Sequence, residues 1–112
     1  MQEYKVKRGM TKDLEYRIKD GLSKIFKIDP ILKNGHYVIS YGSMSILEAW
    51  IGENNKTVFV NTETDKNIFS MDENTSNEII LDTNKRFRQY LDYITGYTTK
   101  ERVKANKKIP IT

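Results

Sequence analysis

The 112 residues contain no cysteine and a single histidine, His36. The first absence excludes disulfide scaffolds, thiolate zinc sites, iron–sulfur clusters and cysteine nucleophiles; the second excludes any site that needs two imidazoles. Glycine is scarce and scattered. The residues at 9, 21, 35, 42, 52 and 96 never cluster, so no loop is built to cradle a nucleotide phosphate. No apolar run approaches the roughly 18 residues of a membrane span, and the N-terminus lacks the apolar stretch of about 7–15 residues that a secretory signal requires. These absences point to a cytoplasmic, non-enzymatic protein with no cofactor, no metal and no membrane partner. What is present, 38% hydrophobic and 30% charged residues, fits one globular domain. A chain of this length buries roughly two-thirds of its unfolded surface, which suffices without a covalent staple.

Net charge is +4, from 19 basic and 15 acidic residues, and its distribution is uneven. Residues 98–112 carry Lys100, Arg102, Lys104, Lys107 and Lys108 against Glu101 alone, so residues 1–97 are neutral. The chain therefore divides into a domain over 1–97 and a basic extension over 98–112. A basic tail on a neutral body suits a polyanionic partner; it equally suits a solvated chain end.

Tyr4 and Val6 alternate with Glu3, Lys5 and Lys7, the period-2 pattern of a half-buried strand. After Gly9-Met10, Thr11 is placed to cap a helix running to about Lys27, with Leu14, Ile18, Leu22, Ile25 and Phe26 inward and Lys12, Arg17, Lys19, Asp20 and Lys24 in solvent. Gly21 costs that helix up to about 1 kcal/mol of propensity unless it permits close packing. Asp29-Pro30 and the Asn34-Gly35 turn form a short connection. Three strands follow, His36–Tyr41, Met44–Gly52 and Lys56–Asn61, as an antiparallel meander. Residues 62–76 read as a polar loop with at most a short edge strand at Ile68-Phe69. A second helix, capped by Thr75 or Ser76, carries Ile80, Thr83, Phe87, Tyr90, Leu91 and Ile94 inward and stops at Gly96. Thr98-Thr99-Lys100-Glu101 fits a capping box and predicts a short helix to about Lys107. The order β-α-β-β-β-α predicts an α+β two-layer sandwich, with both helices on one face of an antiparallel sheet.

The other face of that sheet is the candidate site. Both alternating sets of strand residues are rich in apolar groups, whereas a solvated face is ordinarily polar. Placing the smaller aliphatics Val6, Val38, Leu47, Ala49, Ile51, Val58 and Val60 under the helices leaves Lys5, Lys7, Tyr37, Ile39, Tyr41, Ile46, Glu48, Trp50 and Phe59 on the second face. Aromatic rings with lysines are the composition that stacks bases and neutralises phosphates. An uncovered apolar face also marks a protein interface, or awaits a third layer from 62–76 or the C-terminal segment. His36 opens a strand after a turn and reads as an exposed turn histidine. The carboxylates Glu63, Asp65, Asp72 and Glu73 match no calcium-loop spacing. Lys85, Arg86 and Arg88 flank Phe87 and read as a solvated helix face. The nearest approach to acid–base machinery is Glu48 among tyrosines.

The opening Met1-Gln2-Glu3-Tyr4-Lys5-Val6-Lys7-Arg8-Gly9 and the closing Gly96-Tyr97-Thr98-Thr99-Lys100-Glu101-Arg102 are similar to those of a small archaeal family of uncharacterised proteins. That resemblance implies a fold like one half of the TATA-box-binding protein, a curved antiparallel sheet with helices on its convex side. The TATA-box-binding protein has two such halves and inserts paired phenylalanines into the minor groove. Here there is one half, with Phe59 and Trp50 the nearest analogues of that pair, and a homodimer would rebuild a saddle. Two readings stand: nucleic-acid binding through the aromatic face and basic tail, or protein interaction, including homodimerisation, through the same face.

Overall fold

A computed structural model of the protein describes residues 2–52, 55–98 and 100–101. It is an α+β fold in which β1 (Gln2–Lys5), β2 (Ile31–Lys33), β3 (His36–Tyr41), β4 (Met44–Ile51) and β5 (Thr57–Thr64) make one antiparallel sheet in the order β1-β5-β4-β3-β2. Helices α1 (Leu14–Phe26) and α2 (Glu73–Thr95) pack on a single face of it. The two-layer arrangement expected from the sequence is present, with one strand more. Asn34 and Gly35 have φ of 53° and 82°, the positive pair that a two-residue hairpin turn needs, and they fold Ile31–Lys33 back on β3. Three residues are too few to show alternation, so this strand reads as a loop in the sequence.

Each helix begins where a side chain or a backbone reversal can start it. Thr11 does not cap α1; Asp13, at φ 61°, turns the chain just before Leu14. Arg17, expected in solvent, turns inward instead. Its guanidinium donates to the carbonyls of Met10, of Lys12 at 2.8 Å and of Ile94 at 3.3 Å, tying the 6–13 loop to both helices. The segment expected as a loop over 62–76 is ordered throughout. β5 runs on to Thr64, Asp65 caps a 3₁₀ helix over Lys66–Ser70 that buries Ile68, and Asp72 caps α2 by accepting the Thr75 N–H at 3.1 Å. Gly96, at φ 78°, closes α2 with its N–H on the Asp92 carbonyl at 3.0 Å.

Leu14, Ile18, Leu22 and Phe26 of α1 and Tyr90, Leu91 and Ile94 of α2 meet Tyr4, Leu47, Ala49, Val58 and Val60 of the sheet. Each fully buried aliphatic or aromatic side chain contributes about 1.5–3 kcal/mol. Gly21 faces the other helix rather than the sheet. A Cβ there would stand 2.9 Å from both Tyr90 Cε1 and Tyr93 Cδ1, so the glycine sets how closely α1 and α2 approach. The Tyr90 hydroxyl locks that contact by donating to the Ile18 carbonyl at 2.9 Å. At the far end, the β3–β4 turn docks on α2: Thr83 Oγ1 accepts the Ser43 N–H at 3.0 Å and donates to the Ile79 carbonyl at 2.7 Å.

Candidate functional site

With both helices on one side, strand register decides what the other side displays. Lys33 pairs with His36, and Trp50 pairs with Phe59, which pairs with Glu3. The His36 ring lies against Trp50, so Lys33, His36, Trp50, Phe59 and Glu3 form one row from edge to edge. The adjoining row is Ile31, Val38, Glu48 and Asn61. Ile46, Thr57 and Lys5 complete the open face. Ile31 is 70% exposed, and Leu32 beside it on the edge strand is 60% exposed.

The three rings form a ladder. His36 and Trp50 stack with centroids 4.0 Å apart and planes 9° from parallel; Trp50 and Phe59 follow at 5.6 Å and 14°. Neighbouring strands lie about 4.8 Å apart, so rings stacked at that spacing stand upright on the sheet. Trp50 has a ring on each face, and all three residues are half-buried. Gly52 makes room beside the ladder: a Cβ there would collide first with Thr57 Oγ1 and would stand 3.1 Å from the Phe59 ring. His36 is therefore not an idle turn residue. Its Nδ1 is 2.6 Å from Glu48 Oε2, which fixes the imidazole in the stack and gives Glu48 its partner. The face carries Lys5 and Lys33 against Glu3, Glu48 and Glu63, a mixed and nearly balanced set; Glu3 also accepts the Thr57 hydroxyl at 2.7 Å.

Of the sequence-expected site, Lys5, Ile46, Glu48, Trp50 and Phe59 share this face. Tyr37, Ile39 and Tyr41 do not. Register pairs Tyr37 with Ala49 and Ile39 with Leu47, which turns all three toward the helices and Val38 outward. β3 is apolar at both parities, so its alternation carries no sign, and the helices supply the deciding contacts. Ile39 is buried in the core, the Tyr41 ring packs edge-on against Phe26 at 5.2 Å, and its hydroxyl donates to Asp82 at 2.6 Å. The Tyr37 hydroxyl donates to Glu15 at 3.4 Å. The bond to Tyr41 and the Arg86 guanidinium together hold the Asp82 carboxyl below the usual range against its partial desolvation, and the same bond raises the Tyr41 hydroxyl. Arg86 is likewise structural rather than part of a solvated patch, since it also donates to the Ile25 carbonyl at the end of α1 at 2.5 Å.

Lys7 is off the sheet, because the strand ends at Lys5 and the Lys7 N–H turns to the Thr95 carbonyl at 2.7 Å. Lys100 is exposed just after Thr98, whose Oγ1 accepts the Glu101 N–H at 3.2 Å while Glu101 accepts the Thr98 N–H at 3.1 Å, the reciprocal capping box. Arg102, Lys104, Lys107 and Lys108, and the helix expected to reach Lys107, lie outside the described residues.

Sequence reading misses a second feature altogether. At the end of β1 and the start of β5 a cleft of about 680 Å³ is lined by Lys5, Arg8 and Lys56 together with Thr11, Thr57 and Tyr97. These residues are distant in sequence, and no motif announces them. The turn made by Val6 onward brings them together: Val6 N–H reaches the Lys56 carbonyl at 3.0 Å, Met10 N–H reaches the Lys7 carbonyl at 2.8 Å, and Gly9 takes φ 89°. Among the described residues no group of three or more metal-ligating side chains occurs, and no helix is long and apolar enough to cross a membrane.

A family model, the domain of unknown function DUF5611, matches residues 1–108. No curated protein and no solved structure matches the chain.

Proposed function

We propose that this chain, which belongs to the DUF5611 family, is a non-enzymatic binding module that works as a twofold homodimer through its open sheet face. The observation that carries the reading is the row from Lys33 through the His36–Trp50–Phe59 ladder to Glu3. It is apolar in the middle and oppositely charged at its ends. A twofold axis along β4 sets Trp50 against Trp50 of the second copy, His36 against Phe59, and Lys33 against Glu3 at both rims, which is the self-complementarity an isologous interface needs. Glu48 meets its own copy there, each with His36 as its partner. Five strands, the longest of eight residues, lie within about 24 by 26 Å, roughly 600 Å² at most and so at the small end of interfaces, which bury roughly 800 Å² per partner at standard size.

Two features favour a protein over a nucleic acid on this face. Bases stack on ring faces, but here both faces of Trp50 and one face each of His36 and Phe59 are covered by neighbouring rings at 4.0 and 5.6 Å. Phosphates need an excess of cations, but this face holds as many carboxylates as lysines or more. The one-sided sheet is the arrangement that the likeness to half of a TATA-box-binding protein implies, and we carry that likeness as part of the proposal. The dimer proposed here, however, closes the face that a DNA saddle would leave open. Replacing Trp50, the residue at the axis, tests the reading. Trp50→Lys should leave a folded chain whose circular dichroism is unchanged and which sediments as a monomer. A Trp50→Lys chain that still dimerises as tightly as wild type would refute the interface.

A further inference from the structure

We infer that the cleft between the β1 end and the β5 start is a phosphate site that takes the backbone of a nucleic-acid strand. The inference does not rest on the dimer, which shares with the cleft only the edge residues Lys5 and Thr57 of the open face and leaves Arg8, Thr11 and Lys56 off the sheet. Three cations, Lys5, Arg8 and Lys56, line one cleft with Thr11 and Thr57, and no carboxylate is among the described lining residues, although Glu3 accepts the Thr57 hydroxyl at 2.7 Å. Among the described residues none of the three makes an ion pair. A polyanion in the cleft would meet three cations that have no competing ion pair among the described residues. Arginine offers a planar fork for phosphate oxygens, and lysines add point charges.

The cleft is built rather than incidental. Its wall is the turn over residues 6–12, and four contacts hold that turn. Val6 is bonded to β5 at 3.0 Å, Lys7 to the last turn of α2 at 2.7 Å, and the Arg17 guanidinium holds the Met10 and Lys12 carbonyls from behind. Gly96 completes the seat, since any Cβ there would come within 2.9 Å of Met10 Cγ. The backbone that carries Arg8 and Thr11 is thereby held across from Lys56 and Thr57 before any ligand arrives. A small phosphate would use the cleft alone, but positive charge continues past it. Lys7, next in the chain to the lining residues Val6 and Arg8, and Lys100, three residues past the lining Tyr97, are exposed, with the Glu101 carboxylate near Lys7 as the one acidic group among them. Cations at more than one place along the chain, in and next to the cleft, suit successive phosphates of one strand better than a single small anion.

The test titrates the full ¹⁵N-labelled chain with a single-stranded oligonucleotide, as DNA and as RNA, and separately with inorganic pyrophosphate. Amide shifts should concentrate at Gly9, Thr11 and Thr57, and the oligonucleotide should bind at least about tenfold more tightly than pyrophosphate. Arg8→Glu/Lys56→Glu should lose about tenfold or more in oligonucleotide affinity, and its log–log salt slope should flatten by about 1.4, two phosphates at roughly 0.7 each. Lys19→Glu/Lys85→Glu removes the same charge from exposed positions on α1 and α2 and should lose far less. An equal loss in both double variants, or shifts scattered away from the cleft, would overturn the site. Pyrophosphate binding as tightly as the oligonucleotide would overturn the nucleic-acid assignment.

Discussion

Adding one methyl group at Gly21 measures how firmly the two helices are fitted together. Two effects oppose each other in Gly21→Ala. In an exposed helix interior, alanine stabilises by up to about 1 kcal/mol over glycine. Here the new Cβ would sit 2.9 Å from Tyr90 Cε1 and from Tyr93 Cδ1, closer than side-chain carbons come, and one of the two tyrosines cannot step aside. Tyr90 is fully buried and its hydroxyl is held by the Ile18 carbonyl at 2.9 Å. Overpacking of this kind costs about 1–3 kcal/mol, so the repulsion wins and the net loss should be about 1–2 kcal/mol. In a domain of this size that lowers Tm by roughly 4–10 °C. Urea unfolding followed by Trp50 fluorescence, with thermal unfolding by circular dichroism, reads both quantities. A variant as stable as wild type, or more stable, would refute the claim that Gly21 sets the helix–helix distance.

Two further outcomes follow from the polar contacts that tie the layers together. Thr83→Val keeps the volume but strips the acceptor from the buried Ser43 N–H, so stability should fall by about 1–3 kcal/mol, measured as a shift in urea midpoint. No loss would mean that the turn does not depend on α2. Asp82 has a folded pKa held down first by the Tyr41 hydroxyl and then by Arg86, so it binds protons less readily folded than unfolded. Its stabilisation is therefore complete above the ordinary carboxylate range and is lost as pH falls through that range toward the folded value. Asp82→Asn should flatten this part of the acid dependence, and a variant whose pH profile matches wild type would remove Asp82 from the account.

Residues with one-sided patterns were legible in the sequence. Leu14, Ile18, Leu22 and Phe26, and Tyr90, Leu91 and Ile94, recur at helical spacing against charged neighbours, and they are the residues the core buries. β4 and β5 also declare their inner faces, since Leu47, Ala49, Val58 and Val60 alternate with larger or polar groups. β3 does not, because His36–Tyr41 is apolar at both parities; only the position of Phe26 and Asp82 selects the inner set. Arg17 shows a second limit, because a cation at a solvent-facing helical position bends back to bond carbonyls that periodicity cannot see. The open-face aromatics Trp50 and Phe59 could be picked from composition, but not their stacking on His36, which needs the register of three strands. The basic cleft was hidden for a related reason. Arg8, Lys56 and Tyr97 are unremarkable singly, and only the turn at Gly9 brings them together.

If the sheet face is self-complementary, swapping the charges at its two ends should break the pair and then restore it. Sedimentation equilibrium of the full 13.2 kDa chain, compared with Glu3→Lys, Lys33→Glu and the double variant, reads the dissociation constant of the pair. Wild type should be a dimer, each single change, which sets like charges together at both rims, should associate more weakly, and the double variant should recover. A monomer at every concentration, or a dimer indifferent to all three changes, would contradict that self-complementarity.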